Sequence, residues 1–143
     1  MIGDWAGYKV TRTQWDVVGY IKGSSYPNEP GTLDEAKRGA NYVVGNVSGP
    51  YTFYSSNSYF GWTKVENYIN SKNRPLIAGL IYRNSSNQII GAHRIAISGS
   101  DPSYNKVCYV DPDTGSTYWC YFSDLLNGKQ RGGAKFETTI YYD

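Results

Sequence analysis

At 143 residues and 16.0 kDa the chain has the length of one domain, enough for roughly 68–70% of the unfolded surface to be buried on folding. Hydrophobic residues at 40%, charged residues at 18% and a net charge of +2 describe an ordinary globule. There is no apolar run of membrane-spanning length and no charged-then-apolar leader, and the Lys and Arg residues are too dispersed for a nucleic-acid surface. In chain order, residues 1–8, "MIGDWAGY", read as the tail of a helix that stops at Gly7, with Ile2 and Trp5 on one face. Thr13 is placed to cap a helix running through Ile21 and stopped by Gly23. Thr32-Leu33-Asp34-Glu35 is a capping-box pattern that predicts a helix to about Tyr42, and Thr63-Lys64-Val65-Glu66 repeats the device for a helix to about Lys72, with Trp62, Val65 and Ile69 inward. Between them, residues 43–47 and 51–54 read as short β-like stretches around a Gly49-Pro50 turn.

After Pro75 the segments become strand-length: Leu76 to Tyr82, Ala92 to Ser98, Lys106 to Val110, Thr117 to Tyr121 and Phe136 to Tyr142. "RNSSNQ" and "SGSDPSYN" read as hairpin loops, and "FSDLLNG" as one helical turn ended by Gly128. Helices first and an antiparallel sheet second is the order of an α+β domain.

Cys108 and Cys120 are the thiols available. With one histidine in the chain, a four-ligand zinc site would need carboxylates as well, so no metal and no cofactor is expected. The two cysteines lie on the arms of a hairpin around Asp111-Pro112-Asp113-Thr114-Gly115. A turn centred on residue 113 sets Cys108 opposite position 118, a diagonal arrangement poorly suited to bridging. A disulfide and two buried free thiols both remain open.

The single histidine, His93, stands at the start of a predicted strand, 18 positions before Asp111. That is the separation of a strand, a hairpin and the end of the next strand, and it brings a carboxylate beside an imidazole. An Asp accepting from one ring nitrogen fixes the tautomer and leaves the other nitrogen free to act on a nucleophile. Gly91 just before would let a substrate backbone pass close. The plainer reading is a half-buried histidine beside a serviceable "DPDTG" turn.

The order of features is similar to that of a known family. "RPLIAGLIYRNSSNQIIGAHRIAISGSDPSYNKVCYVDPDTGSTYWCYFSDLL" resembles the second half of papain-like cysteine peptidases, especially the bacterial bacteriocin-processing and staphopain-like branches. In those, "RP" and a strand precede a glycine and a His opening "GHAVVIxGY", followed by "DPxxG" and an aromatic "W-x-Y-x-x-L" tail. Arg74-Pro75, Gly91, His93, Gly99, Asp111-Pro112, Gly115 and Leu125 fall in that order, and residues 11–45 resemble the segment after the family's first helix. The resemblance implies one α+β domain over residues 1–143, helical to about 72 and an antiparallel sheet or half-barrel from about 75. It implies His93 as general base and acid with Asp111 as its orienting partner, and a peptide or protein substrate for a secreted or cell-surface bacterial thiol protease. Ala92 and Arg94 depart from the pattern, and Arg94 is expected to place a large charged side chain beside the base.

In the family the nucleophilic Cys opens the first helix. The resemblance therefore implies that the nucleophile lies a turn or two before Met1, that the chain is truncated there, and that as written it is inactive. Neither Cys108 nor Cys120 opens a helix. A homodimer through the groove left by the incomplete helix is one expected association. The alternative to a hydrolase is a carbohydrate- or peptide-binding module on the same fold, suggested by fifteen tyrosines and four tryptophans, whose rings combine an apolar face with a polar edge.

Overall fold

The computed structural model describes residues 14–23, 31–44 and 52–143. The chain forms two compact units, residues 1–55 with 142–143, and residues 56–141. Among the described residues no helix is long and apolar enough to cross a membrane.

In the first unit, helix α1 (Gln14–Lys22) ends at Gly23, whose φ of +83° is the left-handed stop expected of a glycine, with its N–H donating to the Gly19 carbonyl at 3.0 Å. Thr13 and the expected helix tail over residues 1–8 lie outside the described residues. Helix α2 (Leu33–Val44) begins with the predicted capping box: the Thr32 N–H donates to Glu35 Oε2 at 2.7 Å, and the Glu35 N–H donates to Thr32 Oγ1 at 3.2 Å. Lys22 of α1 pairs with Glu35 at 2.8 Å. A Cβ on Gly39 would sit 3.1 Å from Val17, so the glycine lets the two helices approach closely. The helix runs to Val44 instead of ending at Tyr42. Val43 and Val44 are therefore helical, not the start of a β-like stretch, because tertiary context overrides their modest β preference. Asn41, on the last turns of α2, holds Phe53 at the start of strand β1 (Phe53–Ser56): its amide donates to the Phe53 carbonyl at 3.2 Å and accepts the Phe53 N–H at 2.8 Å. The Phe53 ring packs at 5.4 Å from that of Tyr142.

The second unit opens with helix α3 (Trp62–Glu66), which continues as a π turn over Asn67–Ser71. Its N-cap is Gly61, with no side-chain cap. The Thr63–Glu66 capping box is thus not used: the N-cap falls two residues earlier, so Thr63 already lies inside the first turn. Val65, Tyr68 and Ile69 are buried as the wider π turn brings the last two onto one face, and Trp62 packs its ring at 5.6 Å from Phe122.

Five antiparallel strands of this unit follow in the order β6-β2-β3-β4-β5: β2 (Leu76–Arg83), β3 (Ile89–Asp101), β4 (Lys106–Val110), β5 (Thr117–Tyr121) and β6 (Lys135–Tyr142). Strand β3 is longer than expected at both ends. Consequently "SGSDPSYN" is half strand, its turn confined to residues 102–105 and closed by Asn105 at φ +50°. The Asn84 side chain organises the other hairpin by accepting the N–H groups of Ser86 and Gln88 at 3.0 and 2.9 Å. Helix α4 (Phe122–Leu126) is followed by Gly128 at φ +74°, as expected.

One face of the sheet carries the core: Leu76, Ala78 and Leu80 of β2, Ile95 and Ile97 of β3, Val107 and Tyr109 of β4, and Phe136 of β6 pack with Val65, Tyr68, Ile69 and Leu125. This period-2 burial is what the alternating sequence dictates. The opposite face presents Arg94 and Thr138 on either side of Gly79, where a Cβ would run into Thr138 Oγ1 and lie 2.7 Å from Arg94 Nη1.

The cysteines are free. Cys108 stands opposite Trp119 and Val107 opposite Cys120, one residue off the expected register, so the two thiols project from opposite faces of the sheet and cannot bridge.

Candidate active site

His93 lies within β3 rather than at its mouth, cross-strand from Leu80, and shares its face with Ile95 and Ile97. On β4 the same face runs Val107, Tyr109 and then Asp111, the first residue after the strand. Extending the Ile97–Tyr109 pairing by one step sets Asp111 diagonal to His93, within reach of a long side chain. The two side chains meet: His93 Nε2 lies 2.9 Å from Asp111 Oδ1, with side-chain exposures of 13% and 6%. The sequence-derived pair is therefore brought together in space.

The turn after Asp111 explains how a carboxylate is kept there. The Asp113 N–H donates to Asp111 Oδ1 at 3.0 Å, the Asp111 N–H donates to the Ser116 carbonyl at 3.0 Å, and the Gly115 N–H donates to the Asp111 carbonyl at 2.8 Å. Gly115 adopts φ +67°. The same "DPDTG" segment thus makes the hairpin turn and aims the carboxylate, so the plain and the functional readings of it coexist.

Two further residues join the pair. Arg131 Nη2 lies 2.9 Å from His93 Nε2, 2.9 and 2.8 Å from the two Asp111 oxygens, and 2.7 Å from Asp113 Oδ2. His93 Nδ1 is 3.7 Å from Asp113 Oδ2. Arg131 comes from the turn-rich loop between α4 and β6, where Gly128, Gly132 and Gly133 all take positive φ. In the sequence Arg131 is only one of the dispersed basic residues; nothing in local pattern says that this loop returns to the end of β4.

Burial pushes the Asp111 carboxyl upward, but the Asp113 N–H, the Arg131 guanidinium and His93 outweigh it and hold the group below the usual carboxylate range. Arg131 moves the other way: burial opposes its charge, and the Asp111 and Asp113 carboxylates more than compensate, holding it above its ordinary value. The donor atoms of His93, Asp111 and Asp113 lie within 4.8 Å of one another, close enough to gather a cation, and the cation they gather is the Arg131 guanidinium.

Neither cysteine belongs to this cluster. Cys108 is on the opposite face, and Cys120 opposes Val107, four strand positions from Asp111, about 13 Å along the strand. Burial pushes the Cys120 thiol up to about 12 and raises that of Cys108, the reverse of what a nucleophile needs. Arg94 also differs from expectation: strand alternation turns it to the opposite face, beside Gly79, so it does not flank the base. Burial lowers its proton affinity.

A part-buried imidazole–carboxylate pair at the end of an antiparallel sheet is an arrangement fit for proton transfer to and from a nucleophile placed against it. The fold is similar to that of a cysteine protease. It matches the solved structure of active wild-type interpain A cysteine protease of Prevotella intermedia with a TM-score of 0.59 over 92% of this chain, at 16% identity. At that identity the likeness is one of fold. The chain spans 58% of the length of that structure. No family model and no curated protein matches the sequence.

Proposed function

We propose that this chain is part of a papain-like cysteine peptidase domain of the bacterial, secreted kind, in which His93 is the general base and acid and Asp111 its orienting partner. The observation that carries the reading is the 2.9 Å contact between His93 Nε2 and Asp111 Oδ1 on a fold similar to that of a cysteine protease. In this reading Nε2–H donates to Asp111, and Nδ1 takes the thiol proton. The thiolate then attacks the peptide carbonyl, and the imidazolium returns the proton to the leaving amine; water repeats the cycle to release the acyl group. The nucleophile is a Cys at a helix N-terminus supplied by residues preceding Met1, because Cys108 and Cys120 have the wrong position and the wrong protonation. The chain by itself is then inactive.

The test joins the upstream Cys-bearing segment to this chain and measures cleavage of a fluorogenic peptide library. Turnover that disappears in His93→Ala supports the reading, and undiminished turnover in that variant removes His93 from the mechanism. A second reading, a binding module for sugars or peptides, is favoured by the exposure of Trp119 (57%) and Tyr121 (50%) on one face of β5. In that case glycan titration gives a saturable change in tryptophan fluorescence, and a flat response argues against it.

A further inference from the structure

The contact between Arg131 and His93 has no place in a simple His–Asp pair. One guanidinium nitrogen, Nη2 of Arg131, lies 2.9 Å from His93 Nε2 and 2.9 Å from Asp111 Oδ1, while those two atoms are themselves 2.9 Å apart. The three atoms form a near-equilateral triangle, and protons cannot satisfy all its edges. A ring nitrogen has a single in-plane site: protonated, it donates; unprotonated, it accepts. With Nε2 protonated and directed at Asp111, the contact to Arg131 sets donor against donor, and in the imidazolium it also sets cation against cation. With Nε2 unprotonated, Arg131 donates to it and stands between the imidazole and its carboxylate.

We propose that Arg131 is a positioning residue that competes with the His93 Nε2–H for Asp111, so that the seated guanidinium selects the ring tautomer with Nε2 unprotonated. Its consequence for catalysis rests on the reading of His93 as the base; the competition itself does not. Arg131 also holds Asp113 at 2.7 Å, and its side chain retains 29% exposure, so the guanidinium has a partner to keep when it leaves Nε2. The segment that carries it has Gly128 before it and Gly132 and Gly133 after it in left-handed conformation, backbone that is readily re-formed in other conformations. Among the described residues, the charged groups that face His93 are Asp111 and Asp113 from the turn after β4 and Arg131 from the loop before β6; its cross-strand neighbour on β2, Leu80, is uncharged. Seated, Arg131 takes Asp111 from the Nε2–H; withdrawn, it keeps Asp113 and leaves Asp111 to the imidazole.

The chain contains one histidine, so its ring resonances report this site without ambiguity and without any enzymatic activity. The experiment follows the His93 ring by NMR across the neutral range in the unaltered chain, in Arg131→Gln and in Lys129→Gln. Lys129 is an exposed cation of the same loop that pairs with Asp124. In the unaltered chain and in Lys129→Gln the ring-nitrogen shifts are expected to show the neutral ring protonated on Nδ1, and in Arg131→Gln the proton is expected on Nε2, toward Asp111. A ring protonated on Nε2 in the unaltered chain overturns the proposal, as does the same change in both variants, which would reflect loop charge and not the contact. If Arg131→Gln fails to fold, the unaltered chain decides: a neutral ring protonated on Nδ1 supports the proposal, and one protonated on Nε2 overturns it. None of these outcomes depends on peptide cleavage, so failure here leaves the peptidase reading to its own test.

Discussion

Replacing Asp111 by Ala removes the group that both shapes the β4–β5 turn and anchors His93. Asp111 is 4% exposed, so its loss strands partners that water does not readily reach. The Asp113 N–H, which donates to it at 3.0 Å, loses its acceptor at a cost of about 1 kcal/mol. Breaking one side of a fully buried ion pair costs about 3–5 kcal/mol, but Arg131 is 29% exposed and keeps Asp113, which discounts that contribution to roughly 1–2 kcal/mol. The sum, about 2–3 kcal/mol, corresponds to a fall in Tm of about 6–12 °C for a chain of this size. Asp111→Asn retains an oxygen for the Asp113 N–H and should cost roughly half as much. The sign with pH follows from the depressed carboxyl: its contribution is present above the ordinary Asp value, about 3.9, and is lost as pH falls through the lower folded value. Urea unfolding of the three proteins at neutral pH and in acid reads these quantities. A difference between Asp111→Ala and the unaltered chain below about 0.5 kcal/mol at neutral pH, or one that does not shrink in acid, would refute the reasoning.

Thr32→Ala removes the acceptor of the Glu35 N–H and should destabilise α2 by about 1 kcal/mol in urea unfolding. Glu35, held at about 2 chiefly by Lys22 and then by the Thr32 N–H, should lose its stabilising contacts only as pH falls from about 4.5 towards 2. A chemical-shift titration of its carboxyl checks this. Gly79→Ala should destabilise by about 1–3 kcal/mol because its Cβ meets Thr138 and Arg94, and Thr138→Ala in the same chain should recover part of the loss. Cys120, with its thiol raised to about 12, should resist iodoacetamide at mildly alkaline pH until urea unfolds the chain, whereas the half-exposed Cys108 reacts first; rapid modification of Cys120 in the native chain would contradict its burial.

Much of this arrangement was legible in the sequence because it is local or periodic. The Thr32–Glu35 box, the Gly23 and Gly128 stops, the five strands after Pro75 and the His93–Asp111 spacing all express interactions within a few residues or within one hairpin unit. The Thr63 box misled because its residues already lie inside the helix, whose N-cap is Gly61 two residues earlier, a residue without a side chain and so without a capping signature. Arg94 was misjudged through proximity in sequence, since neighbours on a strand point to opposite faces. Arg131 was invisible as a site residue for the converse reason: its loop approaches the end of β4 only through the long-range order β6-β2-β3-β4-β5, which no local pattern encodes.

The claim on which the functional account turns is that His93 is poised to hold a thiol proton. With a cysteine-bearing helix joined before Met1, as the proposed function requires, the pH dependence of alkylation of that cysteine tests it most directly. The account predicts reactivity persisting well into the acid range, through a thiolate paired with the imidazolium, and its return to an ordinary thiol profile near about pH 8.5 in His93→Ala. A profile centred near the ordinary thiol value with His93 present, and unmoved by its removal, would contradict it.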